Sequence, residues 1–172
     1  MNLVAFEERR DWTQEGWRLP GDPAEFQDRF SQFGGLVGEM MQSAYDVNTW
    51  ALFARPVATR WVNGTTVLLG DAAHPTLPFM AQGACLALED AVVLERVLSA
   101  ETTLDRALAR YQILRKKRAQ DVVALAAGNA WRFHLAKPMA WGAQAVLTVG
   151  AGALARRLEW VYSYDAARAD QT

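Results

Sequence analysis

The sequence predicts an α/β chain of the α+β kind: a small sheet region, one strand–loop–helix unit, and a mostly helical C-terminal part. Three observations predict it. Thr66–Leu69 (TVLL) is a short β-branched and aliphatic run, as expected of a buried strand. Gly70–Gly83 then forms a loop holding two glycines, two prolines, one Asp and one His. From about Ala84 a helix reads clearly, with Leu86, Leu88, Val92, Val93, Val97 and Leu98 apolar and Glu89, Asp90, Glu95 and Arg96 polar. Near Leu98 the composition turns nearly all-helical, so the regions expected are 1–64, 65–100 and 101–172.

Each element has its own local signal. Asn2–Arg9 alternates loosely and reads as a strand begun at once, as though inside a sheet; its edge would offer unpaired N–H and C=O groups to other chains. Asp22-Pro23-Ala24-Glu25 is a helix start, with Asp as N-cap, Pro at the first helical position and Glu placed for a capping box. Phe26, Phe30 and Phe33 follow at near-helical spacing, Gly34–Gly35 ends that helix, and Leu36–Ala44 reads as a second short one. Thr49–Phe53 reads as a strand closed by Arg55-Pro56. Asn63-Gly64 is a two-residue hairpin turn between Arg60–Val62 and Thr65–Leu69.

After the central helix, Thr102 or Thr103 caps a long one. Leu104, Leu108, Tyr111 and Ile113–Leu114 give it an apolar face, and Arg115–Arg118 reads as a solvated face. Trp131–Pro138 interrupts, and two further helical pieces are expected through Trp141–Leu147 and Ala153–Trp160.

Composition narrows the function classes. With 172 residues and 51% hydrophobic content, the chain can bury one real core. Its net charge of −1, from 18 basic and 19 acidic residues without a basic block, argues against nucleic acid as a partner. One cysteine excludes an internal disulfide framework and fits a reducing, cytoplasmic setting. Met139–Leu158 is rich in small apolar residues, but Gln144 and Arg156–Arg157 interrupt it, so it reads as helix packed in protein and not as a membrane span. His74 and His134 are the only histidines, and no ligand cluster around them supports a metal.

The chemistry gathers on the strand–loop–helix unit, since a Gly/Pro loop feeding a helix N-terminus is a built place for an anionic or polar cofactor group. Asp71, at the end of the strand and next to Gly70, is placed to accept hydrogen bonds from a sugar-alcohol hydroxyl while the glycine lets backbone approach closely; the alternative is an Asp that caps a turn. Gln82, Gly83 and Ala84 sit where the helix begins, and unpaired N–H groups there favour negative charge. His74 reads as a hydrogen-bonded loop residue and Cys85 as a small packing residue. Arg55 and Arg60 read equally as phosphate or carboxylate partners and as surface residues, whereas Trp50, Trp61 and Trp131 read as core.

GDAAHP at Gly70–Pro75, followed by P-x-x-A-Q-G-A and L-E-D-A, resembles the second FAD-binding signature of the single-component flavin aromatic monooxygenases, in the salicylate hydroxylase and 3-hydroxybenzoate 6-hydroxylase branch. The likeness extends to Trp50, Leu52, Arg55, Pro56, Trp61 and Gly64. It reappears in Phe133–Leu135 and Trp160–Ala166, and the N-terminal strand is similar to the end of that family's substrate-domain sheet. The resemblance implies that FAD is the cofactor and NAD(P)H the co-substrate, and that the reaction is hydroxylation of a phenol or aromatic acid with O2. It implies that Gly70 and Asp71 hold the flavin ribityl chain and that Gln82, Gly83 and Ala84 face the flavin N1–C2=O edge. Pro75 and Pro78 would stiffen the substrate-side loop.

The family's N-terminal βαβ unit with G-x-G-x-x-G is missing from the sequence. Gly150–Ala155 has the pattern G-x-G-x-x-A but reads as small-residue helix packing. The expectation is therefore a C-terminal portion of such an enzyme, incomplete by itself, weak or silent toward FAD alone and without a nameable catalytic base. The alternative is a non-catalytic fragment or split subunit, an interaction module whose partner, a separate N-terminal half, supplies the dinucleotide-binding fold.

Overall fold

The computed structural model describes residues 3–7, 16, 19–130 and 139–168, with side chains left undescribed at 130, 139–149 and 151. They form two compact units, one within residues 1–53 and one within 54–172.

In the first unit, β1 (Leu19–Gly21) pairs antiparallel with β2 (Val47–Thr49) in the register Leu19↔Thr49, Pro20↔Asn48, Gly21↔Val47. A Cβ at Gly21 would lie 2.8 Å from Val47 Cγ1, so only glycine fits that crossing. Helix α1 (Pro23–Arg29) begins as its residues direct: Asp22 Oδ1 accepts from Ala24 N–H at 2.9 Å and Pro23 takes the first position. Phe26, Phe30 and Phe33 form a ring series with centroids 4.9 and 6.2 Å apart. Gly34 is the N-cap of α2 (Gly35–Gln42), and Gln42 Nε2 donates to Gln27 O at 3.0 Å to tie the two helices.

Two strand expectations fail in this unit. Leu3–Glu7, the described part of Asn2–Arg9, forms no strand, because among the described residues no segment pairs with it, and a strand exists only through a neighbour's hydrogen bonds. The strand expected at Thr49–Phe53 lies earlier, at Val47–Thr49, where β1 offers its partner groups; Trp50, Leu52 and Phe53 run on exposed.

The second unit opens with a hairpin, β3 (Val62–Asn63) against β4 (Thr66–Val67). Its two turn residues are Gly64 and Thr65, one position later than expected, with Gly64 supplying a φ of +57°. The strand is shorter than Thr66–Leu69 and half-buried, not buried. Two 3₁₀ turns, Gly70–Ala72 and Pro78–Met80, shape the following loop. Helix α3 (Gly83–Ala100) then packs against α4 (Leu104–Ala130) as a helical hairpin.

One core cluster joins Trp61 and Ala73 to Val93, Val97, Ala107, Tyr111 and Ala119; a second joins Met80 and Leu86 to Val122, Ala126 and Val161. Helix α5 (Met139–Tyr162) is one continuous helix, not two pieces, and Gly150–Ala155 lies inside it. A Cβ at Gly150 or Gly152 would meet no atom within 4 Å among the described residues. Trp131–Pro138 lies outside the described residues. Among the described residues, no helix is long and apolar enough to cross a membrane.

The helix faces also differ from expectation. On α4 the buried stripe is Ala107, Leu108, Tyr111, Arg115, Arg118, Ala119, Val122 and Ala126, whereas Leu104 and Ile113 are exposed. On α3, Leu88, Val92 and Leu98 face outward and Asp90 is buried. Polar residues hold core positions because they find one another there.

Candidate functional site

Gly70 starts the loop with φ +59°, and a Cβ there would come within 3.1 Å of Ala87 Cβ on α3. Backbone conformation and close approach both demand glycine. Gly70 O then accepts from Ala73 N–H and His74 N–H, each at 2.9 Å, which folds GDAAH into a tight turn against the helix.

Asp71 lies on the outer side of that turn. Its carboxylate is exposed, and a Cβ at Gly83 would sit 3.9 Å from Asp71 Oδ1. The loop thus brings Asp71 beside the start of α3. Pro75 is half-buried, and Pro78 is exposed at the first position of the second 3₁₀ turn. Ala81 closes that turn with a left-handed φ of +52°, an unusual conformation for a residue with a Cβ. It delivers the chain into Gln82, the N-cap.

No side chain caps α3. The first intrahelical bond runs from Leu86 N–H to Gln82 O at 2.8 Å, so the N–H groups of Gly83, Ala84 and Cys85 precede it and point out of the helix end. Gln82 itself is 5% exposed. Three backbone donors without an intrahelical partner, the Gln82 amide and one exposed carboxylate therefore converge at one helix end. Such a set binds a group that is anionic on one edge and carries hydroxyls on another.

Beneath the loop lies a buried ionic cluster. Asp90 Oδ2 accepts from Gly70 N–H at 3.0 Å and pairs with His74 Nε2 at 2.5 Å, while Asp90 Oδ1 accepts from Arg115 Nε at 2.7 Å. Arg115 Nη2 donates to Glu89 Oε2 at 2.7 Å, and Arg118 holds Glu89 through Nε at 2.7 Å and Nη2 at 2.6 Å. Two carboxylates thus meet two guanidinium groups. Burial works to raise the Asp90 pKa, but bonds from His74, Arg115 and Gly70 N–H outweigh it and hold the carboxyl below its usual range. Burial likewise opposes the Arg115 charge, and Asp90 and Glu89 more than restore it.

The cluster continues into the C-terminal segment. Arg118 donates to Trp160 O at 3.1 Å and Val161 O at 3.0 Å, satisfying carbonyls at the end of α5, and its Cζ lies 3.7 Å from the Tyr164 ring centroid.

The loop and helix-start residues named from sequence, Gly70, Asp71, Gln82, Gly83 and Ala84, come together. His74 is hydrogen-bonded as expected and fully buried, which keeps it from any bound substrate. Trp61 is core, its ring 5.4 Å from His74, but Trp50 is exposed and Trp131 lies outside the described residues. Cys85 is exposed, not buried as a packing residue, and Arg55 and Arg60 are exposed. Arg115 and Arg118 are not on a solvated face. Sequence reasoning missed Asp90, Arg115 and Arg118, although helical phase marks them: Asp90 follows Leu86 by four, and Arg115 follows Tyr111 by four.

The family described as FAD binding domain matches residues 37–126, a little more than half of the chain. A 3-amino-4-hydroxybenzoate 2-monooxygenase of Streptomyces platensis is 35% identical over 161 residues, covering 91% of this chain and 40% of that protein. A 6-hydroxynicotinate 3-monooxygenase of Bordetella bronchiseptica is 34% identical, covering 71% of this chain and 32% of that one. Among solved structures, a salicylate hydroxylase substrate complex superposes with a TM-score of 0.77 at 26% identity, covering 94% of this chain and 40% of that one. The chain spans about 40% of the length of the first of these relatives.

Proposed function

The chain belongs to the FAD binding domain family, and from that premise we propose that Gly70–Ala84 forms the ribityl and ring-edge face of an FAD site in an aromatic-ring monooxygenase. The observation that carries the reading is the start of α3, without a side-chain cap among the described residues, beside an exposed Asp71. The donor set fits FAD. Asp71 would accept from ribityl hydroxyls, and the N–H groups of Gly83–Cys85 with the Gln82 amide would hold the pyrimidine edge, where negative charge develops on reduction. When bound, FAD takes electrons from NAD(P)H and activates O2 for transfer to an aromatic ring.

The protein's share is orientation and exclusion of water. Pro75 and Pro78 would stiffen the loop on the substrate side of the flavin. The substrate class is a phenol or aromatic acid, by analogy with the names of the relatives. His74 takes no proton from substrate, being buried against Asp90. The adenosine and pyrophosphate end of FAD requires a phosphate-binding unit beyond these residues, supplied by a dinucleotide-binding half; the relatives' greater length supports this.

The test is a flavin titration followed by fluorescence. It is run with this chain alone and with the part of the Streptomyces relative that this chain does not span. Weak or no binding alone, saturable binding with the added part, and weakening by Asp71→Ala are expected. Losing a charge-assisted hydrogen bond costs about 1.5–3 kcal/mol, roughly ten- to a hundredfold in Kd. Absence of saturable binding in both mixtures, or an Asp71→Ala variant that binds as wild type, would sink the reading.

A further inference from the structure

We propose that Asp90 is a positioning residue for the cofactor-facing loop: one buried carboxylate holds both ends of the Gly70–His74 turn and so sets where Asp71 is presented to the flavin. The inference rests on the FAD reading above and adds to it a residue that does not touch the ligand.

Asp90 Oδ2 takes Gly70 N–H and His74 Nε2, the residue just before Asp71 and the one three after it. Asp71 therefore rides on a turn pinned at both ends to a single atom. Asp90 belongs to the same helix whose first N–H groups form the other half of the site. The turn that carries Asp71 is thus tied to the same helix whose start forms the other half of the site.

Arg115, through Nε, fixes the second oxygen of Asp90, and the Glu89–Arg118 pair balances the charge. His74 Nδ1 has no partner among the described residues, so the tautomer carrying its hydrogen on Nε2 is the one that satisfies the pair. An apolar residue at 90 would pack but would leave the Gly70 and His74 donors unpaired, and an amide that kept its oxygen toward both would turn its NH2 donor toward Arg115 Nε. Only a carboxylate accepts all three.

The test has two arms, both on the full 172-residue chain. Amide hydrogen exchange, without flavin, compares wild type with Asp90→Asn and with His74→Phe, which keeps a ring beside Trp61 and deletes one donor. Exchange at Gly70–His74 should rise at least tenfold while the Val93–Tyr111 core is retained. His74→Gln, which restores a donor, should recover part of the protection. The second arm repeats the flavin titration as a double-mutant cycle of Asp71→Ala with Asp90→Asn, or with His74→Phe if Asp90→Asn does not fold.

If Asp90 acts through Asp71, each single change weakens FAD and the double variant is little weaker than Asp71→Ala alone. Additive losses, or an Asp90→Asn protein that binds FAD as wild type with unchanged exchange, overturn the inference and leave the FAD reading standing. An Asp71→Ala change without effect overturns both.

Discussion

His74 Nε2 lies 2.5 Å from Asp90 Oδ2, and both side chains are wholly buried. The pair connects a loop residue to the middle of α3. It explains how a stretch rich in glycine and proline holds one shape: the loop's polar groups are anchored inside the core, where water does not compete.

Acid should loosen this anchor. Asp90 titrates below its ordinary 3.8 in the folded chain, so the unfolded chain takes up the proton first as pH falls. Its stabilisation is complete above the ordinary carboxylate value and is lost progressively as pH drops below it. Urea melts at pH 7, 5, 4 and 3 should show Asp90's contribution level from pH 7 to 5 and falling toward pH 3, with a flatter profile for Asp90→Asn. Parallel profiles would remove Asp90 from the acid response.

Arg115→Met should be among the most damaging single changes in the chain. It strands the fully buried Asp90 beside Glu89 with one counter-charge fewer, and breaking a buried pair costs about 3–5 kcal/mol. Arg118→Met should cost less, because Glu89 keeps Arg115. Urea unfolding of the two variants measures the order; a larger loss for Arg118→Met would contradict it.

Two glycines with similar φ separate strain from crowding. Gly64, at +57° with no atom within 4 Å of where a Cβ would stand, should cost about 1–2 kcal/mol as alanine. Gly70, at +59° and 3.1 Å from Ala87 Cβ, should cost at least ~1 kcal/mol more. Equal losses in thermal melts would mean that the Ala87 contact yields freely.

Ala81→Gly should be close to neutral. Relief of the left-handed φ of +52° offsets the greater freedom of glycine in the unfolded chain, each about 1 kcal/mol. Ala91→Gly, at an exposed position inside α3, should cost about 0.5–1 kcal/mol. Equal destabilisation by the two would show that Ala81 is unstrained.

Alkali should act through Tyr111. Burial, aided by the Asp90 charge, pushes its phenol above the ordinary value, so the unfolded chain ionises first. The stabilisation is present below about pH 10 and is lost as pH rises above it. Tyr111→Phe keeps the packing on Trp61, gives up the 3.3 Å bond to Leu68 O, and should flatten the loss between pH 9 and about 11 in denaturant melts. A wild-type-like slope would move the alkaline response elsewhere.

The sequence by itself determined the features whose causes act within a few residues. Asp22 and Pro23 start α1, Gly64 turns the hairpin, and the glycines and prolines of Gly70–Gly83 interrupt the chain before a helix that begins at Gly83. These follow from φ preference, missing N–H groups and capping, all local. Tertiary structure alone decided which polar residues are interior. Asp90 meets partners 16, 20 and 25 residues away, and its charge is tolerable in the core only because they arrive together. The same holds for strands: Leu3–Glu7 alternates like one, yet a strand needs a neighbour, and Val47–Thr49 became one because Leu19–Gly21 lay in register with it. Local propensity proposes an element; only partners brought from elsewhere in the chain make a strand pair or a buried charge stable.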